Sequence, residues 1–332
     1  MSARRRPPAL GTQLAVAVAA LTIAGCGGSG DSSSTQAKRA TAARAAAPLQ
    51  VHLIATSALP APVQLPAVAA VPGGALAMGG LDSSEASSSQ IVLVQGAAAR
   101  SVGQLPRALH DAAGADLGGA AYYFGGGGAE GASAAILRVS STGEATSAGQ
   151  LPAPASDVAA ATIGQTIYVV GGYTEVVPLR TIVAYSPAGG ARVVGMLPVP
   201  LRYAAAAAVG GRLLIAGGTS GETAQQAILA FDPHSDTVRQ IGTLPQPLTH
   251  AAGAALDGRF LVFGGRGAQR TSQTAAILSI DPATGAATPA GSLPQPLSDI
   301  GAATVGNQVL LVGGREAGGG VRDKVLTYSA AQ

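Results

Sequence analysis

Arg266 and Arg315 stand at the same place in consecutive repeats, each directly after a Gly-Gly doublet. Two guanidinium groups placed in that way suit a carboxylate or a sulfate, which their planar forks can grip bidentately. A second set recurs five and six positions beyond a Leu-Pro: His110 and Asp111, Ser156 and Asp157, Arg202 and Tyr203, Thr249 and His250, Ser298 and Asp299, with Gln64 and Leu65 in the first repeat. Tyr173 follows another doublet and joins them. Arginine, aspartate, histidine and tyrosine converging on one depression form the kind of lining that fixes a small polar ligand. A structural role competes with this one. Asp111, Asp157, His250 and Asp299 could instead pin turns by hydrogen-bonding neighbouring backbone, and the two arginines could be satisfied by Asp299 or Glu316.

What must position these residues is a repeat. Six Gly-Gly doublets begin at Gly79, Gly125, Gly171, Gly217, Gly264 and Gly313, each 20 residues after the leucine of a Leu-Pro. They lie 46, 46, 46, 47 and 49 residues apart, a period that belongs to propeller blades and exceeds the repeats of most helical solenoids. Each repeat reads as four strands. A small-residue run such as Ala204 to Val209 is followed by a strongly apolar run that ends in the doublet, for example Leu213-Leu214-Ile215. A third apolar run begins eleven to thirteen residues later, and a weaker fourth leads back to Leu-Pro. Glycine is required where the apolar strand leaves its sheet abruptly, because it accepts positive φ and close backbone approach without a Cβ penalty.

Doublets followed fourteen or fifteen residues later by an aromatic, as at Tyr185, Phe231 and Tyr328, resemble the kelch-repeat family of β-propellers over roughly residues 48–332. The resemblance implies an all-β, six-bladed propeller. It also implies that the loops carrying the two residue sets share one face around the central channel. The family's usual tryptophan is missing, since the chain has none, and Val94, Val139 and Ile280 replace the aromatic in the other repeats. The last repeat ends just after its third strand, whereas Gln50 to Leu59 reads as a fourth strand without the three before it. The N-terminal strand (about 50–59) is therefore expected to pair with the C-terminal strand (about 325–329) and complete the sixth blade, removing an open edge.

Most reactions that propellers host fail on the residues. Copper-radical chemistry needs a tyrosine linked to a cysteine, and Cys26 is the sole cysteine. His110 and His250 fall three repeats apart and should face each other across the channel, too far for one divalent ion. No Gly-x-Ser-x-Gly elbow, Walker Lys-Ser/Thr or dinucleotide fingerprint is present. Asp111 and Asp157 could act as paired carboxylates, but any ring with several acids yields adjacent pairs. Resemblance to six-bladed kelch propellers implies one enzymatic alternative, an epimerase or mutarotase acting on acidic sugars, with no catalytic residue carried over. No cofactor or metal is expected.

The N-terminus suggests where the chain works. Arg4 to Arg6, the apolar run Leu14 to Ile23, and Ile23-Ala24-Gly25-Cys26 read as a bacterial lipoprotein signal over residues 1–25, with Cys26 receiving the lipid. Residues 26–47 are small and polar without apolar periodicity, and read as a disordered tether. The 20 basic and 17 acidic residues include three arginines in the signal, so the mature chain is formally neutral and nucleic acid is not an expected partner. The expectation is a membrane-anchored, extracytoplasmic propeller that binds an acidic carbohydrate or an envelope protein, without catalysis.

Overall fold

Each repeat opens with a strand rich in alanine because six such strands must converge on one axis, where a run of larger side chains would collide. The computed structural model describes residues 49–331, and the signal, the tether and Cys26 lie outside them. The inner strands are Ala67–Val71, Ala113–Leu117, Ala159–Ile163, Ala205–Val209, Ala252–Leu256 and Gly301–Val305, and they abut in circular order. A Cβ at Gly114 would lie 2.4 Å from the carbonyl oxygen of Val68 in the neighbouring blade, which shows how tightly they meet.

Behind each inner strand lies an apolar second strand: Gly74–Met78, Ala120–Phe124, Thr166–Val170, Arg212–Ala216, Arg259–Phe263 and Gln308–Val312. These strands are buried almost throughout because neighbouring blades cover both faces. The third strands are Gln90–Gln95, Ala135–Val139, Thr181–Ser186, Thr223–Asp232, Ala276–Ile280 and Lys324–Ala330. Five fourth strands follow in sequence: Ala98–Gln104, Ala145–Gln150, Gly190–Met196, Thr237–Leu248 and Ala287–Ser292. The fourth blade adds a short strand, Thr219–Ser220. The result is a six-bladed, all-β propeller of antiparallel sheets.

The sixth blade takes its outer strand from the other end of the chain. Val51–Ala58 pairs antiparallel with Lys324–Ala330, from Val51 opposite Ala330 to Ala58 opposite Lys324. Bonds from Ala331 N–H to the Gln50 carbonyl (2.8 Å) and from Leu59 N–H to the Asp323 carbonyl (2.7 Å) extend the pairing at both ends. The expected closure is therefore present.

Apolar side chains collect between blades rather than within them. Each hydrophobic cluster is built from two neighbouring sheets, and the cluster uniting the sixth blade with the first joins Leu310, Val312 and Val325 to Val68, Ala75 and Val94. Without tryptophan, third-strand aromatics reach into the preceding blade. Tyr185 O–H donates to the Ala148 carbonyl at 2.9 Å, Tyr328 O–H donates to the Ser292 carbonyl at 3.0 Å, and Phe231 packs beside Tyr168. Room for Phe231 comes from Gly195, where a Cβ would lie 2.9 Å from its ring.

The doublets join one blade to the next. In the third blade, Gly171 and Gly172 adopt φ +63 and +106. Gly172 N–H donates to the Leu201 carbonyl of the next blade at 2.8 Å. A Cβ on Gly171 would come within 2.2 Å of that same oxygen. All six doublets repeat the bond, the last reaching the Val63 carbonyl at 2.8 Å. In every blade the contact falls on the residue four positions beyond the next leucine, although the stretch from doublet to that leucine varies from 26 to 29 residues.

Candidate functional site at the propeller mouth

The two residue sets do share one face. Each residue five beyond a Leu forms a two-way backbone bridge with the residue after its own blade's doublet: Gln64 with Leu81, His110 with Gly127, Ser156 with Tyr173, Arg202 with Thr219, Thr249 with Arg266, and Ser298 with Arg315. The next residue in each loop turns left-handed. Leu65, Asp111, Asp157, Tyr203, His250 and Asp299 all have φ between 54 and 60.

Their main chains bond to one another around the channel. Asp157 N–H donates to the Asp111 carbonyl (2.7 Å), Tyr203 to Asp157 (3.1 Å), His250 to Tyr203 (3.2 Å), Asp299 to His250 (3.0 Å) and Leu65 to Asp299 (2.8 Å). This hoop corrects one sequence reading. The turns at Asp111, Asp157, His250 and Asp299 are pinned by backbone groups of these residues, and the side chains of Asp157, His250 and Asp299 bond other side chains instead.

Above the hoop lies a cavity of about 200 Å³ that brings together Arg266, Arg315, Tyr203, His250, Asp111 and Asp299. The other four candidates sit elsewhere on the mouth. Asp157 lines the throat below and is ion-paired with Arg202, whose guanidinium lies 4.1 Å from the centre of the Tyr173 ring. His110 Nδ1 lies 2.9 Å from Ser87 Oγ. Residues not singled out from the sequence also line the cavity: Glu85, Arg270 and Gln273. Glu85 and Arg270 share an offset of six from their doublets, a signal that a wider search of repeat offsets would have found.

The arginines are not satisfied as the sequence suggested. Arg315 Nη1 lies 2.9 Å from Glu85 Oε1, whereas Glu316 is taken by Arg322 (3.0 Å) and Gln295 (2.7 Å). Arg266 donates to the carbonyls of Gly267 (3.3 Å) and Ala268 (3.4 Å) and reaches His250 Nε2 at 3.1 Å. Asp299 accepts from the Ser298 hydroxyl.

His250 stacks on Tyr203 with ring centroids 3.7 Å apart. Its Nδ1 lies 3.0 Å from Thr249 Oγ1, so the imidazole donates there and accepts from Arg266 in its neutral form. Burial, then Arg266, Arg202 and Arg270, hold its pKa well below the usual histidine value. Asp111 moves the other way. Burial first, then Asp157 and Asp299, hold its carboxyl well above the ordinary aspartate range, against the opposing pull of Arg202.

Three buried polar atoms on the cavity residues lack a hydrogen-bond partner among the described residues: Gln64 Nε2, Gln273 Oε1 and Asp111 Oδ1. One is a donor and one an acceptor, and Asp111 can be either according to its proton. Among the described residues, no group of three or more histidine, cysteine, aspartate or glutamate side chains is placed to hold a metal ion. None of their helices is long and apolar enough to cross a membrane.

Comparison with known proteins agrees with the topology. A family model described as "Kelch motif" matches residues 154–192 and 200–245, the third and fourth repeats. A solved structure titled "Structure of YjhT" superposes with a TM-score of 0.70 at 14% identity, covering 83% of this chain and 99% of that one, a likeness of fold alone. The comparison with curated proteins returned no match. On topology and motif together, the chain is a six-bladed β-propeller whose third and fourth repeats match the kelch motif.

Proposed function

We propose that this propeller binds a small anionic, hydroxyl-bearing ligand in the cavity at its mouth, without transforming it, and is displayed outside the cell membrane by a lipid on Cys26. The observation that carries the reading is the set of unpartnered polar atoms of Gln64, Gln273 and Asp111 lining one cavity with Arg266, Arg270 and Arg315. A buried polar group left unpaired costs about 1–3 kcal/mol, so water or a ligand must meet it. Hydroxyls of a carbohydrate can replace such waters, and the arginines favour a carboxylate or sulfate. Binding is favoured over turnover because two of the titratable groups that line the cavity are committed: His250 to Thr249 and Arg266, and Asp299 to Ser298.

A second reading has one observation in its favour. Asp111 presents a carboxyl held toward its protonated form, which suits proton donation to an acidic sugar in an epimerase or mutarotase. One experiment separates the two. The full chain in detergent is screened by thermal shift against D-glucuronate, D-galacturonate, N-acetylneuraminate and inorganic sulfate, and anomer exchange of any binder is followed by NMR. A shift lost in Arg270→Ala without accelerated exchange supports the binder, and accelerated exchange lost in Asp111→Asn supports the enzyme. No shift from any compound overturns the anionic-ligand reading and leaves an envelope protein as the candidate partner. Anchoring is tested separately: Cys26→Ser should release the chain from the membrane fraction.

A further inference from the structure

We propose that Glu85 is a specificity-determining residue of the mouth, an internal anion that occupies Arg315 until an anionic group of the ligand replaces it. The proposal rests on reading the mouth as a ligand site. Glu85 Oε1 meets Arg315 Nη1 at 2.9 Å across the junction of the first and sixth blades, and both side chains line the cavity. The pair joins residues 230 positions apart, so it is a product of ring closure and not of local sequence.

The hairpin that carries Glu85 is braced to present it. Asp82 Oδ1 accepts from the N–H groups of Ser84 (2.8 Å) and Ala86 (3.0 Å), and Glu85 N–H donates to the Asp82 carbonyl at 3.1 Å. Glu85 itself is held left-handed, at φ 62. The contact with Arg315 is nevertheless weak. The Glu85 side chain is 59% exposed, and an ion pair so open to water is screened and readily exchanged.

Neighbouring groups explain why a ligand would win the exchange. The Arg270 guanidinium borders the same cavity and makes no hydrogen bond or ion pair among the described residues. Burial pulls the Arg266 guanidinium below its usual value, with Asp299 opposing and Arg270 and Arg315 adding to the fall, as expected where positive charge is incompletely neutralised. An anion with two or three oxygens can engage Arg270 and Arg315 together, whereas Glu85 holds only Arg315. Glu85 thereby sets a threshold: carboxylates and sulfates that bridge both guanidinium groups displace it, and monodentate anions such as chloride do not.

The test uses the full chain in detergent at low ionic strength, titrated with inorganic sulfate and D-glucuronate. Glu85→Gln should tighten binding about 3- to 10-fold, and the gain should vanish in an Arg315→Met background. A second readout needs no ligand: the rate at which phenylglyoxal modifies Arg315, followed by peptide mass, should rise in Glu85→Gln. Equal affinities in wild type and Glu85→Gln overturn the proposal while leaving the mouth as a ligand site, and weaker binding does so by making Glu85 a ligand contact. If neither probe binds either protein, faster modification of Arg315 keeps Glu85 as its internal anion and rejects the ligand reading. An unchanged rate then rejects both.

Discussion

His250 Nε2 lies 3.1 Å from Nη2 of Arg266, a donor that keeps its proton at any physiological pH, so the imidazole must accept there and stay neutral. The folded chain therefore binds fewer protons at this site than the unfolded chain once pH falls below the unfolded histidine value of about 6.5. Stability should fall with acidification by up to about 1.4 kcal/mol per pH unit between roughly pH 6.5 and the lowered folded pKa. His250→Asn, which tolerates the left-handed backbone at this position, should flatten that slope. Denaturant midpoints at pH 7, 6 and 5 for both proteins check this; parallel slopes would refute it.

Asp111 carries the opposite sign. Its folded pKa is raised, so its ionisation costs stability as pH climbs from the unfolded value of about 3.9 to the folded one, and the penalty persists above that. Asp111→Asn keeps the shape, accepts φ 55 and never ionises. The variant should equal or exceed wild type in thermal stability at pH 8, and its advantage should shrink at pH 5. A loss at pH 8 would mean that Asp111 is stabilised as an anion.

Gly171→Ala should cost about 2 kcal/mol or more. A left-handed backbone penalises alanine by about 1–2 kcal/mol, and the new Cβ would press to 2.2 Å from the Leu201 carbonyl that Gly172 must bond. Gly164→Ala, at φ 60 with nothing within 4 Å of the added atom, isolates the backbone penalty. Equal losses in the two variants would show that contact between blades contributes nothing.

Deleting residues 49–58 removes the strand paired with Lys324–Ala330, whereas residues 27–47, outside the described residues, read from composition as a tether. The first deletion should lower the melting temperature sharply and promote aggregation through the exposed edge. The second should change neither. Scanning calorimetry with light scattering distinguishes them, and similar melting of the two truncations would contradict closure by the N-terminal strand.

Leu65 is the one aliphatic member of the hoop, at φ 55, where an apolar side chain makes no local hydrogen bond to compensate a left-handed backbone. Leu65→Asn should stabilise the fold by about 1 kcal/mol. Chemical denaturation gives the answer, and destabilisation would mean that packing of Leu65 outweighs its backbone cost.

Blade number, strand order and closure were legible in the sequence because they rest on backbone needs that recur with every repeat. The residue five beyond each leucine must bridge to the residue after its own blade's doublet, so the 20 residues from leucine to doublet do not vary, whereas the stretch from a doublet to the next leucine runs from 26 to 29. Side-chain partnerships follow no such period. The acid nearest Arg315 in sequence is Glu316, yet Arg322 and Gln295 hold it, and Arg315 turns to Glu85 in another blade. Glu85 and Arg270 share an offset from their doublets, but they belong to hairpins whose sequences otherwise differ from repeat to repeat, and the folded ring shows that they and Gln273 line one cavity. The missing tryptophan was visible, but not its replacement: glycine in one blade makes room for an aromatic from the next, as Gly195 does for Phe231.

The left-handed hoop divides the mouth into two alphabets. Positions 65, 111, 157, 203, 250 and 299 can vary cheaply only among residues that tolerate positive φ, chiefly asparagine, aspartate, histidine and glycine. The bridge positions beside them, Gln64 and Arg266 among them, pair through their backbones and already carry side chains from glycine at 127 to arginine at 202, 266 and 315. Retargeting this propeller to a new molecule, by evolution or by a protein engineer, should therefore proceed through the bridge residues, with the hoop kept as a nearly constant frame.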